Sequence, residues 1–223
     1  MSFETLVEVF AQSGIDLDRV YVSGGTALHS YLRTLGRLPE WAPGDVDLFI
    51  EIGALSVDED MKKLLDVLAR SFDCARLSMT RVRANVPVEK NADFIFSRHP
   101  NFTVAEWVGS FDISVCKVYF RLATWKNPEY LFADTARNDI DRRIMRVAPV
   151  LLEPFGVKNT DHQMQVHFCK KLGRVSKYRN RGFCAEPDPD YSRTMDLDLN
   201  RDWESSGDNI IVAMIAAEQR EKK

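Results

Sequence analysis

Two aspartates separated by one residue, Asp45-Val46-Asp47, lie inside an apolar run, and upstream of them a strand-like Val20-Tyr21-Val22 breaks into Gly24-Gly25-Thr26. Alternate side chains of a strand point the same way, so Asp45 and Asp47 share one face while Val46 and Leu48 turn to the other. Two carboxylates held together repel, and one is driven toward protonation unless a countercharge intervenes. A hard divalent cation with oxygen ligands removes that conflict, and Mg²⁺, or Mn²⁺ in its place, suits the donors. Gly24 and Gly25 permit a tight turn and close backbone approach to a phosphate. Thr26-Ala27-Leu28 then begins a helix whose first amides face the anion. The chemistry these residues suggest is the holding of a triphosphate against metal.

Each half has a plainer reading. A glycine pair after a strand is most often only a turn. Asp-x-Asp also occurs in sugar-nucleotide glycosyltransferases, in haloacid-dehalogenase-like phosphatases and on solvated loops. The phosphatase pattern wants a threonine two residues after the second aspartate, where Phe49 stands.

Three blocks taken in order narrow the choice: Val22-Ser23-Gly24-Gly25-Thr26-Ala27-Leu28, then Trp41-Ala42-Pro43-Gly44-Asp45-Val46-Asp47-Leu48-Phe49, then Gly109-Ser110-Phe111-Asp112-Ile113-Ser114-Val115-Cys116. Together they resemble the nucleotidyltransferase superfamily that includes polymerase β, poly(A) polymerases and toxin-like nucleotidyltransferases. The wording of the second and third blocks, with Arg174-Val175-Ser176-Lys177-Tyr178-Arg179-Asn180-Arg181-Gly182-Phe183, is similar to a poorly characterised branch found in viruses and fungi. The resemblance runs from residue 20 to 183, and the stretch from Arg33 to Trp41 makes the link between glycine turn and acid pair longer than is common.

That resemblance implies an α+β, polymerase-β-like fold: a mixed sheet with flanking helices and a helical C-terminal part. It implies a third acid, Asp112, opening a strand through Ile113, Val115, Val118 and Phe120. Asp45, Asp47 and Asp112 would then be the catalytic, metal-holding set, with Asp112 also a candidate general base. Ser23, Gly24, Gly25 and Thr26 would hold the β and γ phosphates. The implied enzyme is a Mg²⁺-dependent nucleotidyltransferase that moves a nucleoside monophosphate from a nucleoside triphosphate to a hydroxyl acceptor (an RNA or tRNA end, a protein or a small molecule) and releases pyrophosphate. The alternative is a catalytically silent member of the fold that binds a nucleotide or a partner protein.

The elements that must position these residues follow from periodicity and caps. Helices are expected over 3–12, 26–35 and 56–72, the last opened by a Ser56 to Glu59 capping box, with strands near 20–22, 45–51, 76–80, 82–88 and 93–96. A short helix or turn at 104–108 precedes the Asp112 strand. Beyond it helices are expected over 128–136, 140–147, 160–181 and 210–220. The division expected is a catalytic core over 1–122 and a helical part over 123–223 packed on it as one compact unit.

Charge adds a second candidate. From Arg137 to Phe183 there are eleven Lys and Arg against four Asp and Glu, and from Cys184 to Ile210 two against eight. On a helix ended by Gly182, Arg174, Lys177, Tyr178 and Arg181 share a face. Such a stripe is often only solvated, but in the resembling fold a helix after the catalytic sheet supplies cations to the triphosphate. Arg174 and Lys177 are therefore nucleotide-binding candidates, with Tyr178 stacking on the base or covering the core.

The 223 residues, 45% hydrophobic, suffice for one substantial core. No apolar run reaches transmembrane length, and the N-terminus lacks a signal-peptide pattern, so the expected setting is cytoplasmic, a host cytoplasm if the source is viral, with no membrane partner. Cys74, Cys116, Cys169 and Cys184 have no Cys-x-x-Cys spacing, and His162 and His167 miss helical metal-ligand spacing, which leaves no zinc site and no disulfide framework. The net charge of −3 argues against a broad nucleic-acid surface, though an RNA acceptor remains compatible. Nothing in the sequence marks the base, the acceptor or the oligomeric state.

Overall fold

The computed structural model describes residues 1–51, 57–78, 81–85, 91–97, 102–147 and 173–187. They fall into two compact units, Met1–Phe111 with Cys116–Arg137, and Asp112–Val115 with the residues from Asn138 onward.

The first unit is built on a seven-stranded sheet with strands β1 (Val20–Ser23), β2 (Asp45–Ile50), β3 (Asp73–Ser78), β4 (Arg81–Asn85), β5 (Asn91–Phe96), β6 (Val118–Arg121) and β7 (Leu131–Phe132), in the order β3-β4-β5-β2-β1-β6-β7. β2 and β5 run parallel and the other neighbours antiparallel, so the sheet is mixed. Its two faces differ in kind. Val20, Val22, Val46, Leu48, Ile50, Val82, Phe94 and Phe120 alternate onto one face and are all buried. Helices α1 (Phe3–Ser13), α2 (Gly24–Thr34) and α3 (Val57–Leu68) supply its cover through Leu6, Phe10, Leu28, Leu32, Met61 and Leu64. Burying each such side chain contributes roughly 1.5–3 kcal/mol.

The opposite face carries Tyr21 and Phe49 at one end, where α4 (Val104–Gly109) lays Trp107 flat on Phe49 with ring centroids 4.9 Å apart. A Thr103–Glu106 capping box starts α4, and the Glu51 carboxylate accepts the Val104 amide at 3.2 Å. At the other end of that face lie the aspartates.

Local chemistry sets the helix ends. The Ser2 hydroxyl accepts the Thr5 amide at the start of α1, and Gly14, at φ 72°, stops it. Asp58, Glu59 and Asp60 load the first turn of α3 with negative charge. Buried Asp60 pairs with Arg19 at 2.8 Å. The Ser56 cap lies outside the described residues.

Three expected elements are corrected. The strand foreseen from Asp112 is instead an isolated bridge at Ile113 and a 3-10 turn over Ser114–Cys116, with β6 starting only at Val118. The helix foreseen over 128–136 is a connection into β7, because Tyr130 bonds Ser30 at 2.7 Å and Phe132 packs edge-on to Tyr31; tertiary contacts outweigh helix propensity here. The helix foreseen over 140–147 stops short. α5 (Ala136–Asp141) ends two residues before Arg143, whose φ of 58° keeps the helix from continuing, and Ile144–Val147 forms β8, paired in parallel with β9 (Cys184–Pro187). Most of the helix expected over 160–181, and all of that over 210–220, lies outside the described residues; 173–179 is helical. In the second unit Gly182, at φ 85°, ends that helix, with the Phe183 amide donating back to the Tyr178 carbonyl. Among the described residues no helix is long and apolar enough to cross a membrane.

Candidate active site

β1 ends at Ser23 and the chain enters α2 through Gly24, at φ 66°. That conformation alone favours glycine, and so does the space: a Cβ at Gly24 would stand 3.3 Å from Asp47 Oδ2 and 3.9 Å from the Phe111 ring. The glycine turn and the acid pair are therefore one surface. The Thr26 hydroxyl donates to the Asp45 carbonyl at 2.6 Å, tying the first turn of α2 to the start of β2. Ser23, opposite Asp47 in the ladder, is fully buried and its Oγ has no hydrogen-bond partner.

Asp45 and Asp47 lie on one face of β2, as alternation requires, and β5 brings Asp93 beside Asp47 in parallel register. One oxygen from each of Asp45, Asp47 and Asp93 lies within 4.8 Å of the others. Burial, then the like charges of Asp45 and Asp93, raise the Asp47 carboxyl from its usual 3.8 to about 7, against the pull of Arg81 and Arg83. These donors suit a hard divalent cation: they are oxygens, they crowd together, and Asp47 is disturbed in the direction such a cation would reverse.

Asp93 differs from its neighbours. It is fully buried, and Arg83 grips it with Nε to Oδ1 at 2.7 Å and Nη2 to Oδ2 at 2.6 Å while Arg81 Nη2 reaches Oδ2 at 2.5 Å. Burial pushes its carboxyl up, but the hydrogen bonds from Arg83 and Arg81 outweigh that and hold it below the usual carboxylate range. A carboxylate accepts about four hydrogen bonds, so three arginine bonds leave it little capacity for a metal ion.

The remaining sequence candidates belong to the second unit. The Asp112 carboxylate accepts from Arg174 Nη2 at 2.5 Å, on a side chain that is half exposed. Lys177 is exposed. Tyr178 is buried, with Phe183 edge-on at 6.3 Å and the Arg181 guanidinium 4.7 Å over its ring, so its ring covers the core of this unit.

Asp93, Arg81 and Arg83 were missed in the sequence. The available signal was Arg81-Val82-Arg83, two cations in alternation at the start of the strand expected over 82–88, followed by an acid opening the next strand. Only the register that sets Arg83 opposite Asp93 turns this into a cluster.

No protein-family model matches this chain, and no curated protein matches it. Among solved structures it is similar to a CCA-adding enzyme in complex with ATP, at TM-score 0.53 and 14% identity over 82% of this chain and 38% of that one. It is similar also to a tRNA-processing enzyme in an apo form, at TM-score 0.51 and 13% identity over 82% and 42%. A third is the Thermotoga maritima CCA-adding enzyme complexed with tRNA, at TM-score 0.51 and 14% identity over 82% and 38%. The chain thus spans only 38 to 42% of the length of these structures. At such identity the likeness is one of architecture, and the architecture is the nucleotidyltransferase fold: a mixed sheet with flanking helices.

Proposed function

We propose that this protein is a metal-dependent nucleotidyltransferase that moves a nucleoside monophosphate from a nucleoside triphosphate to a hydroxyl acceptor and releases pyrophosphate. The observation that carries this reading is the packing of the Gly24 turn directly against the Asp47 carboxylate. A phosphate received by the turn is thereby adjacent to the acid pair.

Mg²⁺ or Mn²⁺ would be held by Asp45 and Asp47, and when bound would neutralise the triphosphate and make an acceptor hydroxyl more acidic. The amides of the Gly24-Gly25 turn and the unpartnered Ser23 hydroxyl would bind the β and γ phosphates. The acceptor oxygen bonds to the α-phosphorus, the bond from that phosphorus to the bridging oxygen breaks, and pyrophosphate leaves with the electron pair. The hydroxyl proton passes to a carboxylate. Asp93 and Asp112 are the two candidates for the third acid, and comparing the Mn²⁺ affinity of Asp93→Asn with that of Asp112→Asn separates them. An RNA end is the favoured acceptor, because the fold is shared with CCA-adding and tRNA-processing enzymes. Kinship with a viral and fungal branch, carried by the wording around Trp41 to Asp47 and Phe111 to Cys116, is part of the same proposal.

One observation favours a second reading, binding without transfer: two arginines already occupy Asp93. The test incubates the protein with Mg²⁺, each α-labelled nucleotide, and total cellular RNA and protein. Label in RNA with pyrophosphate release is expected, and its loss in Asp45→Asn. Nucleotide binding by calorimetry with no pyrophosphate from any acceptor would establish the silent binder instead.

A further inference from the structure

Four side chains cross the polar face of the sheet in one line. Ser23 on β1 stands opposite Asp47 on β2, Asp47 opposite Asp93 on β5, and Asp93 opposite Arg83 on β4. With strands about 4.8 Å apart, the Arg83 backbone lies about 10 Å from that of Asp47 and about 14 Å from that of Ser23, on the far side of the acids from the glycine turn. The line therefore has a phosphate-binding end, a carboxylate centre and a cationic end.

Nucleotidyl transfer is an in-line displacement, with attacking and leaving oxygens on opposite sides of the α-phosphorus. If pyrophosphate leaves over the Gly24 turn, the attacking hydroxyl approaches over β5 and β4. Among the described residues, the cations on that side are Arg81 and Arg83. Arg83 bonds Asp93 through Nε and Nη2, and Arg81 through Nη2 alone; the Arg81 Nε is buried with no partner. Two guanidiniums fixed by one carboxylate, with donors to spare, are a receptor for phosphate oxygens.

Resting on the proposed transfer reaction, we propose that Arg81 and Arg83, oriented by Asp93, bind the phosphodiester next to the attacking hydroxyl, so that the acceptor is the end of a nucleic-acid strand. Asp93 is then a positioning residue. A protein or small-molecule hydroxyl, with no phosphate beside it, would leave this cationic end without a ligand.

The experiment measures two affinities in Mg²⁺: that of a short single-stranded RNA with a free 3′ hydroxyl, beside the same sequence as DNA, and that of inorganic triphosphate. Arg81→Ala and Arg83→Ala, at half-exposed side chains, are expected to weaken RNA binding roughly tenfold to a hundredfold while leaving triphosphate within about twofold. Each should also lower the slope of log affinity against log salt by about 0.7, an effect that general loosening of the fold would not produce. Ser23→Ala should do the reverse, weakening triphosphate and sparing RNA. Asp93→Asn should lower kcat and keep Mn²⁺ affinity within about twofold.

RNA affinity unchanged in both arginine variants, or triphosphate lost in place of RNA, overturns the proposal. So does wild-type protein that binds neither RNA nor DNA, while the preferred strand identifies which nucleic acid is the acceptor. Loss of Mn²⁺ in Asp93→Asn overturns the positioning role. Tight, arginine-dependent RNA binding without pyrophosphate release would instead sink the transferase reading and leave the phosphodiester site standing.

Discussion

The two faces of the seven-stranded sheet are made by alternate residues of the same strands, yet one is apolar and buried beneath helices and the other holds a line of charge. Within β2, Val46, Leu48 and Ile50 are buried beneath helices while Asp45 and Asp47 face the other way. Stability is concentrated on the first face and electrostatic tension on the second. Burial of Asp47 is costly to the folded protein, whereas burial of Phe94, on the next strand, holds it together. Active sites commonly spend stability in this way.

The comparison breaks first at its most charged point. Asp47→Asn is expected to lower transfer roughly a thousandfold or more, the scale of losing a principal electrostatic contributor, while leaving the melting temperature at or above that of wild type. Full activity in this variant would remove Asp47 from the reaction. On the other face, Phe94→Ala should cost about 3–5 kcal/mol in urea denaturation and, under conditions where it remains folded, retain metal binding. Gly24→Ala sits at the meeting of the two. Its φ of 66° costs an L-residue about 1–2 kcal/mol, and its Cβ at 3.3 Å from Asp47 Oδ2 should impair triphosphate binding as well.

The smallest effect is the dependence on pH. Asp47 titrates at about 7 in the folded, metal-free protein and near 3.9 when unfolded, so its contribution to stability is complete below about pH 4 and lost as pH rises through about 7. Asp93, held below the usual range, contributes in the opposite sense: its share is present above the unfolded value and lost as pH falls below it. Wild type should therefore lose stability relative to Asp47→Asn between about pH 4 and 7, and Mg²⁺ should flatten that difference. Parallel pH profiles for the two proteins, without metal, would contradict the charge assignment.

How much of this was legible in the sequence depended on whether a residue's role is local. Gly24 could be read because a turn between strand and helix makes its own demand on φ. The shared face of Asp45 and Asp47 could be read because it follows from strand alternation alone. Asp93 could not, since its neighbours in the chain, Asn91 and Ala92, say nothing, and its role is conferred by arginines on a different strand. Ile113 and Val115 alternate as a strand does, but the chain makes only a bridge and a 3-10 turn there. Ile140 and Ile144 have helical spacing, yet Arg143 adopts a positive φ between them and the second isoleucine joins a strand. In each of these cases the deciding partner lies on another strand: ten and twelve residues away for Asp93, and 34 to 40 away for Ile113 and Ile144.

The bond from the Thr26 hydroxyl to the Asp45 carbonyl, 2.6 Å long, ties the Gly24 turn to the acid strand at their shared edge. Sliding of α2 along β2 would break that bond, at a cost of about 1 kcal/mol. Under the proposed transfer reaction, closing around the substrate would then fall to other segments, moving against a floor pinned at this point.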